Sequence, residues 1–212
     1  MVSLYFGLPR SGKTTLLTAH ALKYVRGFKY RHVYCNIPLN IPGIIYVKND
    51  MIGKFQLEDG VLLIDEATLF ADSRDYKNFS KDKISWFLLH GHYRVDVELY
   101  TQQWDGVDRK IRTITDKCYY LYKPKLRPGI TKYYRIPFGI IIPDKRDSGE
   151  KLGDIVQGYC KPSVLERIFC HRLKRKKYYK YFDSWNAPHL LDLPKEYSLS
   201  VLSGESVSGS TL

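Results

Sequence analysis

Long apolar runs are missing from this 212-residue sequence. The longest, Ile136 to Ile142, is interrupted by Pro137 and Gly139, and it falls far short of the ~20 apolar residues that span a bilayer. Met1 leads straight into apolar residues, with no basic start and no small-residue cleavage site, so no secretory leader is expected. Cysteine is scarce. Cys35, Cys118, Cys160 and Cys170 form no CxxC pair, which fits free thiols in a reducing compartment better than a disulfide framework. Cys160, Cys170 and His171 match no zinc-ligand spacing. Neither an N-K-x-D guanine motif nor an internal repeat occurs. Acidic residues are also few, 22 against 34 Lys and Arg, leaving a net charge of +12. That excess points to an acidic partner: nucleic acid, anionic lipid or nucleotide.

What is present reads as an α/β chain. A hydrophobic fraction of 44% is enough to fill one core at this length. Val2–Phe6 predicts a short buried strand. Leu16, Leu17, Ala21, Leu22 and Val25 recur at helical spacing from Gly12 to about Val25, and Gly27 closes that helix. His32–Ile37 and Ile44–Val47 predict strands. Val61–Ile64 has no polar alternation, as in a strand covered on both faces. A helix over Asp82–His90, a strand over Val95–Thr101, a short basic helix over Val107–Thr113 and a strand over Cys118–Tyr122 follow. Tyr133–Ile142 is expected to be one further strand. Alternating strands and helices predict a mostly parallel sheet wrapped by helices, a three-layer sandwich. Composition shifts after Pro143, so residues 1–143 are expected to form the main domain and 144–197 a basic, tyrosine-rich extension. The serine-rich 198–212 reads as a disordered tail.

Gly7-Leu8-Pro9-Arg10-Ser11-Gly12-Lys13-Thr14 fits G-x-x-x-x-G-K-[ST], between an apolar strand and an amphipathic helix. In such a P-loop the residues Gly7, Leu8, Pro9, Arg10, Ser11, Gly12, Lys13, Thr14 and Thr15 wrap the phosphates, with backbone N–H groups (all but that of Pro9, which has none) closing around phosphate oxygens, helped by the helix dipole. Lys13 reaches the β- and γ-phosphates of ATP, and the Thr14 hydroxyl binds Mg²⁺. Val61-Leu62-Leu63-Ile64-Asp65-Glu66 places two carboxylates at a strand tip, where open α/β sheets bind ligands. Asp65 is the expected second metal ligand, through water, and Glu66 the base that polarises an attacking water. At the end of the next strand, Gln102 is positioned to sense the γ-phosphate or to cap the strand. Arg74, Arg94, Arg109 and Arg112 are candidates for an arginine finger. The alternative chemistry for a P-loop is a small-molecule kinase. Against it stand the Asp65–Glu66 pair, which suits activation of water, and the lack of an arginine-rich lid.

Arg167–Tyr181 interleaves cations with aromatics. That pattern suits phosphate neutralisation with base stacking on Tyr178, Tyr179 or Tyr181, and equally an anionic membrane surface.

An early P-loop, V-L-L-I-D-E-A some fifty residues later, and His90-Gly91-His92 running through a strand to Thr101-Gln102 together resemble the zonular occludens toxin family of filamentous-phage assembly ATPases. Asp108–Arg112 and Cys118-Tyr119-Tyr120 extend the resemblance, which covers about Met1 to Tyr122. It implies an oligomeric ATPase that drives extrusion of single-stranded phage DNA, with DNA or virion assembly proteins as partners. Family members commonly carry a membrane-spanning helix after the ATPase domain, and this sequence shows none. A cytoplasmic location in the host, with Arg167–Tyr181 touching the inner membrane peripherally or a separate protein supplying the anchor, is the corresponding expectation. No toxin activity follows from the family name.

Overall fold

Strand β1 (Val2–Phe6) is buried along its whole length because both faces of the sheet around it are covered. The computed structural model describes residues 1–27, 29–70, 81–104, 106–127, 129–136, 138–141, 156–159 and 170–183. After β1 come α1 (Lys13–Arg26), β2 (His32–Cys35), β3 (Ile44–Tyr46), β4 (Gly60–Ile64), α2 (Ala67–Phe70), α3 (Lys81–Leu89), β5 (Val95–Thr101), α4 (Arg109–Thr113) and β6 (Lys117–Tyr122). Then follow β7 (Ile130–Ile136), β8 (Phe138–Ile141), β9 (Val156–Tyr159) and β10 (His171–Lys174). Eight strands form one sheet in the order β10-β7-β6-β1-β5-β4-β2-β3. The six from β6 to β3 run parallel, and β7 and β10 close one side antiparallel.

Alternation along the strands sorts the core into two layers. Tyr5, Val33, Val61, Leu63 and Tyr100 face Leu16, Leu17, Ala21 and Leu22 of α1. Val2, Leu4, Leu62 and Val97 face Trp86 and Phe87 of α3 and Ile111 of α4. This is the three-layer arrangement of a P-loop NTPase. Gly27 donates to Lys23 O and ends α1, and the Asp108 carboxylate accepts from Lys110 N to start α4.

Two expectations are corrected. Tyr133–Ile142 is not one strand. Residues 130–136 pair with β6 and β10, whereas 138–141 pair with β9 in a separate two-stranded sheet. Proline cannot donate to a ladder, and the main-sheet pairing of this segment ends at Ile136. The compact unit also runs on to Phe182, past the boundary expected at 143, because His171–Lys174 pairs with β7 inside the main sheet. The basic stretch is thus in part a strand of the fold rather than an appended segment. Asp183–Leu212 cluster as a second unit, of which only Asp183 is described. Positions 167–169, Cys160, Arg74 and the tail 198–212 lie outside the described residues. No helix among the described residues is long and apolar enough to cross a membrane.

Candidate nucleotide site

The C-terminal ends of β1, β5 and β4 lie side by side, since Phe6 pairs with Thr101 and Ile64 with Leu99. Strand β5 therefore stands between the P-loop and the carboxylate pair. The loop after β1 is held from several sides. Gly7 N–H donates to Thr101 O at 3.3 Å and Ser11 N–H to Leu8 O at 3.1 Å. Gly12 has φ +99°, a left-handed conformation that side chains rarely adopt, and a Cβ there would stand 2.1 Å from Thr131 Oγ1. No side chain caps the N-terminus of α1, which leaves its first turn for an anion. Leu8, Pro9 and Arg10 are exposed on the outside of the loop, whereas Ser11, Lys13 and Thr15 are buried.

The Lys13 ammonium folds back over the loop, donating to Gly7 O at 3.0 Å and Leu8 O at 3.3 Å. Burial pushes its pKa down, while the charges of Glu66 and Asp65 pull it up without overcoming that effect. Thr14 Oγ1 donates to Asp65 Oδ2 at 2.7 Å, so the two expected metal ligands already touch. Burial raises the Asp65 carboxyl to about 6, against the lowering bond from Thr14. Gln102 Nε2 donates to Glu66 Oε1 at 3.2 Å, and Glu66 itself sits at φ +47°. A non-glycine residue in that region stores roughly 1–3 kcal/mol and tends to mark functional sites.

Two buried oxygens at this site, Ser11 Oγ and Asp65 Oδ1, have no hydrogen-bond partner. Each such group costs about 1–3 kcal/mol when left unmet. A hydroxyl in the phosphate cradle and a carboxylate oxygen beside Thr14 are hard oxygen donors of the kind magnesium selects, so the donor set fits Mg²⁺ with a phosphate ligand.

Three contributors were not visible in the sequence motifs. Asn36, at the end of β2, accepts from Asp65 N–H at 2.7 Å and donates to Asp65 O at 3.0 Å, fixing the backbone of the metal-side residue. Thr131 of β7 donates to Ser11 O at 2.8 Å. Arg175, just past β10, is buried. Its Nη2 donates to Arg10 O at 2.5 Å and its Nε to Thr131 Oγ1 at 2.9 Å. A residue of the basic stretch thus reaches beneath the P-loop, and only its place in a cation-rich run could have drawn attention to it.

Other expected residues take different places. His90 Nδ1 lies 2.6 Å from Phe87 O, at the end of α3. Arg94 is paired to Asp59 at 2.6 Å, and Arg112 lies over the Trp104 ring. Tyr178 and Tyr181 pack against the α1-side core, leaving Tyr179, at 49% exposure, as the open ring of that trio.

Comparison with known proteins gives the family and the fold. The family profile described as Zonular occludens toxin (Zot) matches residues 44–164, more than half of the chain, including Asp65, Glu66 and Gln102. The N-terminal domain of zonular occludens toxin from Neisseria meningitidis is similar in structure, with a TM-score of 0.55 and 18% identity. The match covers 86% of this chain and 98% of that one. The genome packaging NTPase B204 from Sulfolobus turreted icosahedral virus 2, solved with ATP-gammaS, gives a TM-score of 0.47 at 13% identity, over 63% and 91% of the two chains. The KaiC-like protein PH0186 from Pyrococcus horikoshii OT3 gives 0.44 at 13% identity, over 66% and 85%. No curated protein matches.

Proposed function

The chain belongs to the zonular occludens toxin family, and from that membership we propose that it hydrolyses ATP with magnesium to power assembly of a phage particle. We further propose that it acts as a homo-oligomer on single-stranded DNA, in the host cytoplasm or at the inner face of the host membrane. The observation that carries the reading is the Thr14–Asp65 contact with the Gln102–Glu66 pair one strand tip away.

The chain's own groups divide the work. Lys13 exchanges the Gly7 and Leu8 carbonyls for β- and γ-phosphate oxygens. The N–H groups of the loop and first helical turn hold the remaining phosphate charge. Thr14 and Asp65 would hold magnesium, which would neutralise negative charge developing on the phosphates. Glu66 accepts a proton from the attacking water, and the Gln102 amide keeps its carboxylate turned toward the crevice. Water adds to the γ-phosphorus, the bond to the β–γ bridging oxygen breaks, and ADP leaves with that oxygen.

Two variants separate binding from chemistry. Lys13→Ala should abolish nucleotide binding or turnover with the fold intact. Glu66→Gln should bind Mg·ATP but lose turnover by roughly 10²–10⁴-fold. Parental hydrolysis in either variant, measured as phosphate release with and without single-stranded DNA, overturns the assignment of that residue. Transfer of the γ-phosphate to a small-molecule hydroxyl instead of water would establish a kinase.

A further inference from the structure

The net charge of this chain has an address. Lys117–Arg135 contains six basic residues and no acidic one, and so does Cys170–Phe182. Together they equal the whole excess of +12, leaving the rest of the chain balanced. The sheet order brings the two segments together as β6, β7 and β10.

Antiparallel register decides which side chains share a face. Tyr120 lies opposite Tyr134, Tyr122 opposite Lys132, Lys132 opposite Arg172, and Ile130 opposite Lys174. One face of this three-stranded corner therefore carries Tyr120, Tyr122, Tyr134, Lys132, Arg172 and Lys174. The rings lie 5.8–6.4 Å apart by their centroids and are half-buried, while Arg172 and Lys174 are exposed. Beside them opens a groove of about 370 Å³ lined by Leu126, Arg127, Ile130, Lys132 and Arg172. Its floor is apolar and its only charges are cations.

The geometry points to this face as a binding surface for single-stranded nucleic acid, with phosphates on Arg127, Lys132, Arg172 and Lys174 and bases against the tyrosines and the groove. Cations spaced along strands match a phosphate backbone, and half-exposed rings between them offer π-faces to unpaired bases. Duplex bases are already stacked and cannot use those rings. A lipid surface would also use the cations and the 96%-exposed Leu126, and tyrosines sit at membrane interfaces too, so vesicles are the competing probe. The choice of partner rests on the assembly reading above, while the surface itself rests on charge and register.

Binding is measured without nucleotide, so that failure of the ATPase reading leaves the result intact. The probes are a fluorescent oligothymidylate of about 20 nucleotides, a duplex of equal length, and phosphatidylglycerol-containing vesicles. The parent should prefer the single strand. Replacing Arg127, Lys132, Arg172 and Lys174 with Gln should flatten the slope of log affinity against log salt by about 3, at ~0.7 per phosphate contact. A control variant losing the same charge at Lys23, Arg26, Arg31 and Lys48 should keep the parental slope. Tyr122→Ala should weaken single-strand binding about tenfold or more, while Tyr122→Phe, which keeps the ring, should bind like the parent. Equal losses in the edge and control variants, equal affinity for duplex, or binding to vesicles alone would each overturn the proposal.

Discussion

Arg175 carries a cation into the interior and spends its hydrogen bonds on the carbonyl of Arg10 and the hydroxyl of Thr131. Those two acceptors belong to the back of the phosphate cradle. Thr131 in turn donates to Ser11 O, so the chain of bonds fixes the loop from behind. Arg175→Ala leaves an inward carbonyl unmet, at about 1–3 kcal/mol, and removes a positive charge from beneath the anion. Nucleotide affinity should fall roughly five- to 150-fold, the same energy expressed as a ratio. Arg175→Lys should recover part of this through charge but not through the two-pronged geometry. Titration with a fluorescent ATP analogue below the variants' melting temperature reads the effect, and an unchanged Kd would make Arg175 a packing residue only.

At the level of elements, α1 and β5 are joined by a buried polar cluster. The Glu98 carboxylate accepts from Tyr24 OH and from Tyr100 OH at 2.7 Å, and pairs with His20 Nδ1 at 2.8 Å. Burial alone would raise the Glu98 carboxyl, but the charge of His20 and the three hydrogen bonds outweigh it, and the net shift is downward. A carboxyl depressed in the folded state contributes stability above its unfolded pKa of about 4.3, and that contribution is lost as pH falls through the folded value. Thermal melts of the parent and Glu98→Gln should therefore differ most near neutrality and converge below pH ~4. A constant gap across that range would mean that the glutamate acts by shape, not charge. The same elements show what the sequence made readable. Helix α1 and strands β1, β4 and β5 fell within about a residue of expectation, because apolar runs and helical spacing report burial directly. The structure brings Thr14 beside Asp65 and Gln102 beside Glu66, a proximity expected because loop and strand tips carry them in fixed order. Strand order is a matter of distant pairing, so nothing local revealed β5 between the P-loop and Asp65. Nor could periodicity reveal β10, whose His-Arg-Leu-Lys has one apolar residue and reads as a solvated run until β7 is placed beside it.

For the whole molecule, the question is where an arginine for the γ-phosphate comes from. Arg94 is engaged by Asp59 and Arg112 lies over Trp104. In the proposed homo-oligomer a neighbouring copy supplies that arginine, and specific ATPase activity should then rise with protein concentration as subunits meet. Activity strictly proportional to protein across a wide dilution series, with no larger species by light scattering, would count against assembly.

The bonds from Thr131 and Arg175 to the P-loop span 120 and 165 positions of the chain. Contacts that distant form late, since the intervening loop must close before they are rewarded. The phosphate cradle is synthesised more than a hundred residues ahead of its floor, which arrives with Thr131 of β7 and Arg175 beyond β10. The P-loop is therefore synthesised well before its seat and completed only when these distant partners arrive. A chain still being made holds the P-loop sequence without its completed seat, and competence to take nucleotide becomes a report that the far end has folded.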